Sequence, residues 1–234
     1  MSHTRDEIIE KGLLAALELA GERGWQALTL SDIATAAGLK LSDFHGIATT
    51  DTLADAAEGY FDKAMSGEGV DTDESARERL FDVVMLRFEA MEPYREGLQS
   101  LMKWRERSAM RLARLVAARK ASADWALVSA GLDGTDQTVP RDIRALGVAY
   151  AIGRAERAWR KETDPGFART MAELDKALRQ LEEGAGKFTK FRWGRPRKSA
   201  DEAEGWSDEP PAADTPSAED GSAPGAPPKG TSPA

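Results

Sequence analysis

Apolar residues return at three- and four-residue intervals along most of this chain. No stretch alternates with the period of two that a half-buried strand requires. Ile9, Leu13, Ala16, Leu17 and Ala20 mark a first amphipathic helix over residues 4–22, followed by Gly24-Trp25. Ser31 can cap a short helix, its hydroxyl accepting from one of the free first-turn amides. A second short helix is predicted over roughly 41–47 and a longer one over 51–65, with Tyr60 and Phe61 near its end. Ser75 caps a helix carrying Leu80, Phe81, Val84, Met85 and Phe88. Pro93 opens the next at a position where a missing amide costs nothing; it runs through Leu98, Leu101, Trp104, Leu112 and Leu115 to about residue 120. A shorter piece spans 122–131, and 131–140 is a loop. From Pro140 a helix carries Ile143, Leu146, Val148, Tyr150, Ile152 and Trp159. Thr163-Asp164-Pro165 reads as a stop and restart, after which Phe167, Met171, Leu174 and Leu178 share one face to about residue 183. The pattern predicts an all-α chain.

Residues 28–47 have the spacing of a helix-turn-helix. Ala34 stands four residues before Gly38; two steeply crossing helices need a small side chain at the contact, and the sharp turn favours glycine in its left-handed position. Ile33, Ala37, Leu39, Phe44 and Ile47 supply the inner apolar contacts, and the second helix is the one such motifs lay in a DNA major groove. The same spacing also suits two short helices packed at an angle with no nucleic acid involved.

In its wider setting the run Gly24-Trp25, Leu28-Thr29-Leu30, Asp32-Ile33-Ala34, Ala36-Ala37-Gly38-Leu39 resembles the N-terminal domain of TetR-family transcriptional repressors, over about residues 5–66. The resemblance implies a helix-turn-helix DNA-binding domain over 1–50, with Thr29, Ser31, Lys40, Ser42, Asp43, His45, Thr49 and Thr50 at double-stranded operator DNA. Past Gly38 the chain departs from the family pattern. Phe44-His45 replaces a Leu-Tyr pair, Ala48 a phenylalanine and Asp51 a phosphate-facing lysine, and Asp43 puts a carboxylate where a groove-facing side chain belongs. A carboxylate accepts from a cytosine amino group and is repelled by the backbone. Residues 1–66 hold five bases against eleven acids, whereas a DNA-docking face draws its affinity from neutralising phosphates.

Residues 51–186 resemble the helical ligand-binding and dimerising half of the same family, down to the ending Trp159, Asp164-Pro165, Ala168-Arg169-Thr170-Met171-Ala172. That implies a homodimer joined through its last two long helices and a cavity for a small apolar effector. Met85, Phe88, Trp104, Trp125 and Tyr150 are candidate lining residues; at helical spacing each also reads as ordinary core. The helix order is similar, too, to TetR-like lipid-binding accessory proteins of ubiquinone biosynthesis, which bind isoprenoid lipid in place of DNA. Lys103, Arg107, Arg111 and Arg114 form a basic stripe, either paired with neighbouring acids or open to an anionic partner.

Composition narrows the chemistry. With 32 bases against 40 acids the 234-residue chain carries net charge −8; it has no cysteine, hence no disulfide or thiolate chemistry. Its two histidines lack metal-ligand spacing and no glycine-rich phosphate loop occurs, so neither an enzyme nor a cofactor is expected. No apolar run is long enough to span a membrane, and the start lacks signal-peptide character, so a cytoplasmic place is expected. Residues 187–199 are basic and aromatic: Lys187, Lys190, Arg192, Arg195, Arg197 and Lys198, interleaved with Phe188, Phe191 and Trp193. Three readings stay open: a minor-groove contact through Gly194-Arg195-Pro196, a patch on an anionic membrane surface, or a solvated segment closing on the acidic tail. Residues 200–234, rich in Pro, Ala, Ser and acids, are expected to be disordered.

Overall fold

The computed structural model describes residues 3–193 apart from 68, 70–72 and 135–138, with side chains described through residue 185. Among them are eight α-helices and no strand: α1 (Arg5–Arg23), α2 (Leu30–Ala36), α3 (Thr50–Asp62), α4 (Ala76–Met91), α5 (Arg95–Arg105), α6 (Ala109–Ser129), α7 (Arg141–Trp159) and α8 (Ala168–Trp193). Three of them start on reciprocal caps. Thr4 accepts from the amide of Glu7 while Glu7 accepts from that of Thr4, and Thr29 with Asp32 and Ser75 with Glu78 repeat the arrangement. The cap of α2 is therefore Thr29 and not Ser31, because the carboxylate three residues on, at Asp32, returns the bond to Thr29.

Two predicted helices differ. The run expected over 93–120 breaks at Glu106–Ser108, where Ser108 is extended (φ −142°, ψ 123°), and α6 then continues unbroken through 122–129. Neither proline nor glycine marks the break. It is held by tertiary bonds, with Arg105 turned inward to Glu58 and Glu106 paired with Arg160 at 2.8 Å. The helix expected over 41–47 is a single 3-10 turn, Leu41–Phe44. Asp43 accepts from the amide of Lys40 at 2.9 Å, His45 is extended and Gly46 is left-handed at φ 71°, so the turn closes before a helix can propagate.

Packing joins the N-terminal helices to the rest. Gly97 of α5 lies so close to α1 that a Cβ there would stand 2.0 Å from the carbonyl oxygen of Leu17, so only glycine permits this approach. The shared core includes Leu13, Leu17, Ile33, Phe44, Leu53, Phe61, Leu98 and Leu101. At Gly147 of α7 a Cβ would meet the Leu181 side chain of α8 at 2.7 Å, so a larger residue there requires that leucine to shift.

The start of α8 rests on one carboxylate. Glu162 accepts from the amides of Thr163 (3.0 Å), Asp164 (3.1 Å), Arg169 (2.9 Å) and Thr170 (3.0 Å), and from the Thr170 hydroxyl (3.2 Å). Phe167 stands outside the helix in the left-handed region (φ 58°), folding the chain back so that amides on both sides of the loop reach that carboxylate. Glu162→Ala is expected to cost about 1 kcal/mol, the range of a lost N-cap. For a chain of this size that lowers the melting temperature by about 2–4 °C, read by thermal denaturation followed by circular dichroism.

Candidate nucleic-acid interface and cavity

The expected DNA-facing residues flank the turn between α2 and α3, with Phe44 buried among them in sequence. Thr29, Ser31, Lys40, Ser42, His45 and Thr49 are exposed, and Asp43 and Thr50 are half-buried. Gly38, at φ 66°, makes the turn between α2 and the Leu41–Phe44 segment. The surface offers one lysine, one imidazole and several hydroxyls. Asp43 is engaged with the Lys40 amide, and Thr49 accepts from the Thr52 amide as the cap of α3.

At the first turn of α3, Asp51 and Asp55 hold Arg114 of α6 at 3.0 and 3.1 Å. A cation thus stands beside the position where the family pattern has a lysine, supplied from another helix and already paired. The basic stripe resolves in the same way. Arg111 lies 3.6 Å from the centre of the Trp104 ring, which itself packs against Trp25 at 6.0 Å, while Lys103 and Arg107 are exposed. Of the basic aromatic segment, Lys187, Lys190 and Arg192 fall on the backbone of α8, their side chains outside the described residues. Arg195, Arg197 and Lys198 lie outside the described residues altogether.

A cavity of about 430 Å³ lies between α4, α6, α7 and α8. Its wall is mainly Leu80, Leu127, Leu132, Val148, Leu178 and Leu181, with Arg77 and Arg144 among its polar lining residues. None of the five aromatic and methionine candidates lines it. Met85, Phe88 and Trp104 are buried, with Phe88 packed 6.3 Å from the Trp159 ring; Trp125 and Tyr150 are exposed. The large rings fill the core, and the space is left where leucines meet.

Sequence reasoning missed a buried ionic cluster on α3 to α7. Glu58 of α3 accepts from Arg105 of α5 at 2.8 Å and from Arg87 of α4, and Arg105 also donates to the carbonyl of Ala54. Arg87 donates to Asp62 at 2.8 Å, Ser122 of α6 donates to Asp62 at 2.7 Å, and Arg119 pairs with Glu156 of α7. Glu58, Arg87, Arg105 and Glu156 are at most 4% exposed. The i, i+4 spacing of Glu58 and Asp62 was the only available signal, and it equally describes a solvated helix face. Burial alone would raise the Glu58 carboxyl, but the guanidiniums of Arg87, Arg105 and Arg119 outweigh it and hold the pKa down at about 2. Asp62 and Glu156 go the other way: burial pushes both up despite their arginine partners. Among the described residues no group of histidines and carboxylates is arranged to hold a metal ion, and no helix is long and apolar enough to cross a membrane.

Two solved structures share this architecture. A TetR transcriptional regulator from Nitrosomonas europaea ATCC 19718 superimposes with a TM-score of 0.61 at 18% identity, over 75% of this chain and 98% of its own. A TetR transcriptional regulator from Rhodococcus sp. RHA1 does so with a TM-score of 0.54 at 14% identity, over 77% and 97%. The chain therefore has the all-helical TetR regulator fold. No protein-family model and no curated protein matches the sequence.

Glu58→Gln leaves two buried guanidiniums without their shared carboxylate, and a loss of about 3–5 kcal/mol is expected in urea denaturation. The pH dependence has two opposing parts. Asp62 and Glu156 have folded pKa values above their unfolded ones, so lowering the pH toward the ordinary carboxylate range relieves them and stability rises. Glu58 has a folded value below its unfolded one, so its contribution is lost between about 4.5 and about 2. Wild-type stability is expected to fall in that lower window, and Glu58→Gln should lose this component of the fall.

Proposed function

We propose that this chain is a ligand-responsive, DNA-binding transcriptional regulator that acts as a homodimer, with residues 1–50 as the docking head. The observation that carries the reading is the helix-turn-helix surface on a TetR fold. Thr29, Ser31, Lys40, Ser42, His45 and Thr49 lie open about the turn between α2 and α3, with Phe44 buried among them in sequence, in a fold shared with two transcriptional regulators. With a recognition element of one 3-10 turn, the base edges within reach are few, and Lys40 and His45 are the donors best placed for them.

Dimerisation is supported by α7. Ile143, Leu146 and Tyr150 recur at i, i+3 and i+7 and are 49, 60 and 54% exposed, with Met171 of α8 also exposed. Large apolar side chains in such a row favour a partner surface over water. A second copy would bring two heads to two half-sites on one face of DNA. The cavity between α4, α6, α7 and α8 is the effector site in this reading. An effector releases DNA only if it binds the non-docking arrangement of the heads more tightly than the docking one.

The test is binding of the full-length protein to DNA from upstream of its own gene against random DNA, at about 0.1 M salt. A preference for the upstream fragment is expected, lowered by Lys40→Ala with His45→Ala; equal binding to both DNAs overturns the regulator reading. Equal binding together with uptake by quinone-containing vesicles favours a lipid-binding accessory role. Leu146→Glu is expected to shift the dimer to monomer in light scattering at micromolar concentration and to weaken DNA binding with it.

A further inference from the structure

We propose that the cavity between α4, α6, α7 and α8 takes an amphiphilic monocarboxylate, an acyl or aryl chain ending in one carboxylate, with Arg144 as the residue that selects the head group. This rests on the reading of the cavity as the effector site and names the chemistry of its occupant.

The body of the ligand follows from the wall. Leu80, Leu127, Leu132, Val148, Leu178 and Leu181 present methyl groups, and the volume is about 430 Å³. That is roughly three times the ~150 Å³ of an engineered apolar cavity that admits benzene, so a chain of many carbons or a fused ring system fits. An apolar body entering such a space gains by leaving water.

The head follows from the two arginines. Arg77 is already neutralised: it pairs with Asp175 at 2.5 Å and stands 3.7 Å from Glu182. Arg144 is different. Its two terminal amino groups donate to main-chain carbonyls, of Leu132 and, at 3.2 Å, of Gly134. Those bonds fix the guanidinium against the end of α6 without cancelling its charge. Each terminal amino group spends one hydrogen on a carbonyl and keeps the other. A positively charged, immobilised group with terminal N–H donors to spare, among the lining residues of an apolar cavity, is complementary to a carboxylate on an apolar chain. Among the described residues no carboxylate pairs with Arg144, so an alcohol fills the same space without answering the charge, and an ammonium head is repelled.

Three probes of one chain length separate these heads: myristate, tetradecan-1-ol and tetradecyltrimethylammonium, each titrated below its micelle concentration into the full-length protein by calorimetry. Myristate is expected to bind about 10- to 100-fold more tightly than the alcohol, the range of a hydrogen bond to a charged group, and the ammonium not measurably. Arg144→Gln should bring myristate down to the level of the alcohol, while Arg144→Lys, which keeps the charge, retains a preference for the acid. Leu80→Trp, which fills the cavity, should abolish binding of both and so exclude attachment elsewhere. The inference is overturned if wild type binds acid and alcohol equally, if the acid preference survives Arg144→Gln, or if no probe binds. DNA binding is measured without any probe. Upstream-DNA preference without myristate binding rejects this inference alone, and myristate binding without DNA preference rejects the regulator reading alone.

Discussion

Much of this molecule depends on where Glu58 is. Its two oxygens each take a different guanidinium, from α4 and from α5, and it projects from α3, the helix that follows the helix-turn-helix. A carboxylate in an apolar interior is unfavourable by several kcal/mol unless paired, and so are Arg87 and Arg105 without it. The three groups are therefore mutually obligatory: none of the three helices can leave without stranding a charge. Asp62 one turn on extends the constraint to α6 through Ser122, and Arg119 with Glu156 extends it to α7. Apolar packing permits small slides between helices. A cluster of matched charges permits one arrangement, or a second in which every pair is remade.

In the proposed reading, that property gives the cavity a route to the head. Three of its walls come from helices that also carry cluster residues. On α4, Leu80 lies two turns from Arg87; on α6, Leu127 lies a turn and a half from Ser122; on α7, Val148 lies about two turns from Glu156. A ligand that spreads α4 from α7 acts on the same helices that hold Glu58 and Asp62 in place. The size of any response is bounded by the ligand's difference in affinity for the two arrangements, whatever its absolute affinity. Gly97 against Leu17 adds a second tie, since α5 and α1 meet backbone to side-chain-free backbone and move as one piece.

The sequence was most legible where structure is decided locally. Thr4, Ser75 and Pro140 announce the starts of α1, α4 and α7, and Gly38 the turn, because caps and left-handed positions are short-range chemistry. The breaks were not legible. Nothing between residues 93 and 120 disfavours a helix, and the kink at 106–108 exists because Arg105 is drawn to a carboxylate 47 positions away. The site was read least well. Aromatic residues were the natural candidates for a pocket, yet large rings pack densely against one another, as Phe88 does with Trp159 and Trp25 with Trp104. The space is left among aliphatic side chains of four different helices, a coincidence of tertiary structure that no one-dimensional pattern encodes.

Electrostatics set the terms on which the head can meet a polyanion. Its one well-placed arginine, Arg114, belongs to α6 and is shared between Asp51 and Asp55, so at rest that corner is net negative. A phosphate approaching it must compete with two carboxylates for the same guanidinium, and each such contact yields less than a free lysine would. If the chain binds DNA as proposed, affinity must then come from elsewhere: from shape at the Leu41–Phe44 turn, from doubling of the heads, or from cations outside residues 1–66. The chain concentrates such cations in residues 187–198, six bases with no acid among them. In the proposed reading, a weakly charged head and a basic run elsewhere in the sequence divide shape recognition from electrostatic attraction, and the two can then be varied independently without disturbing the buried charges that hold the head in place.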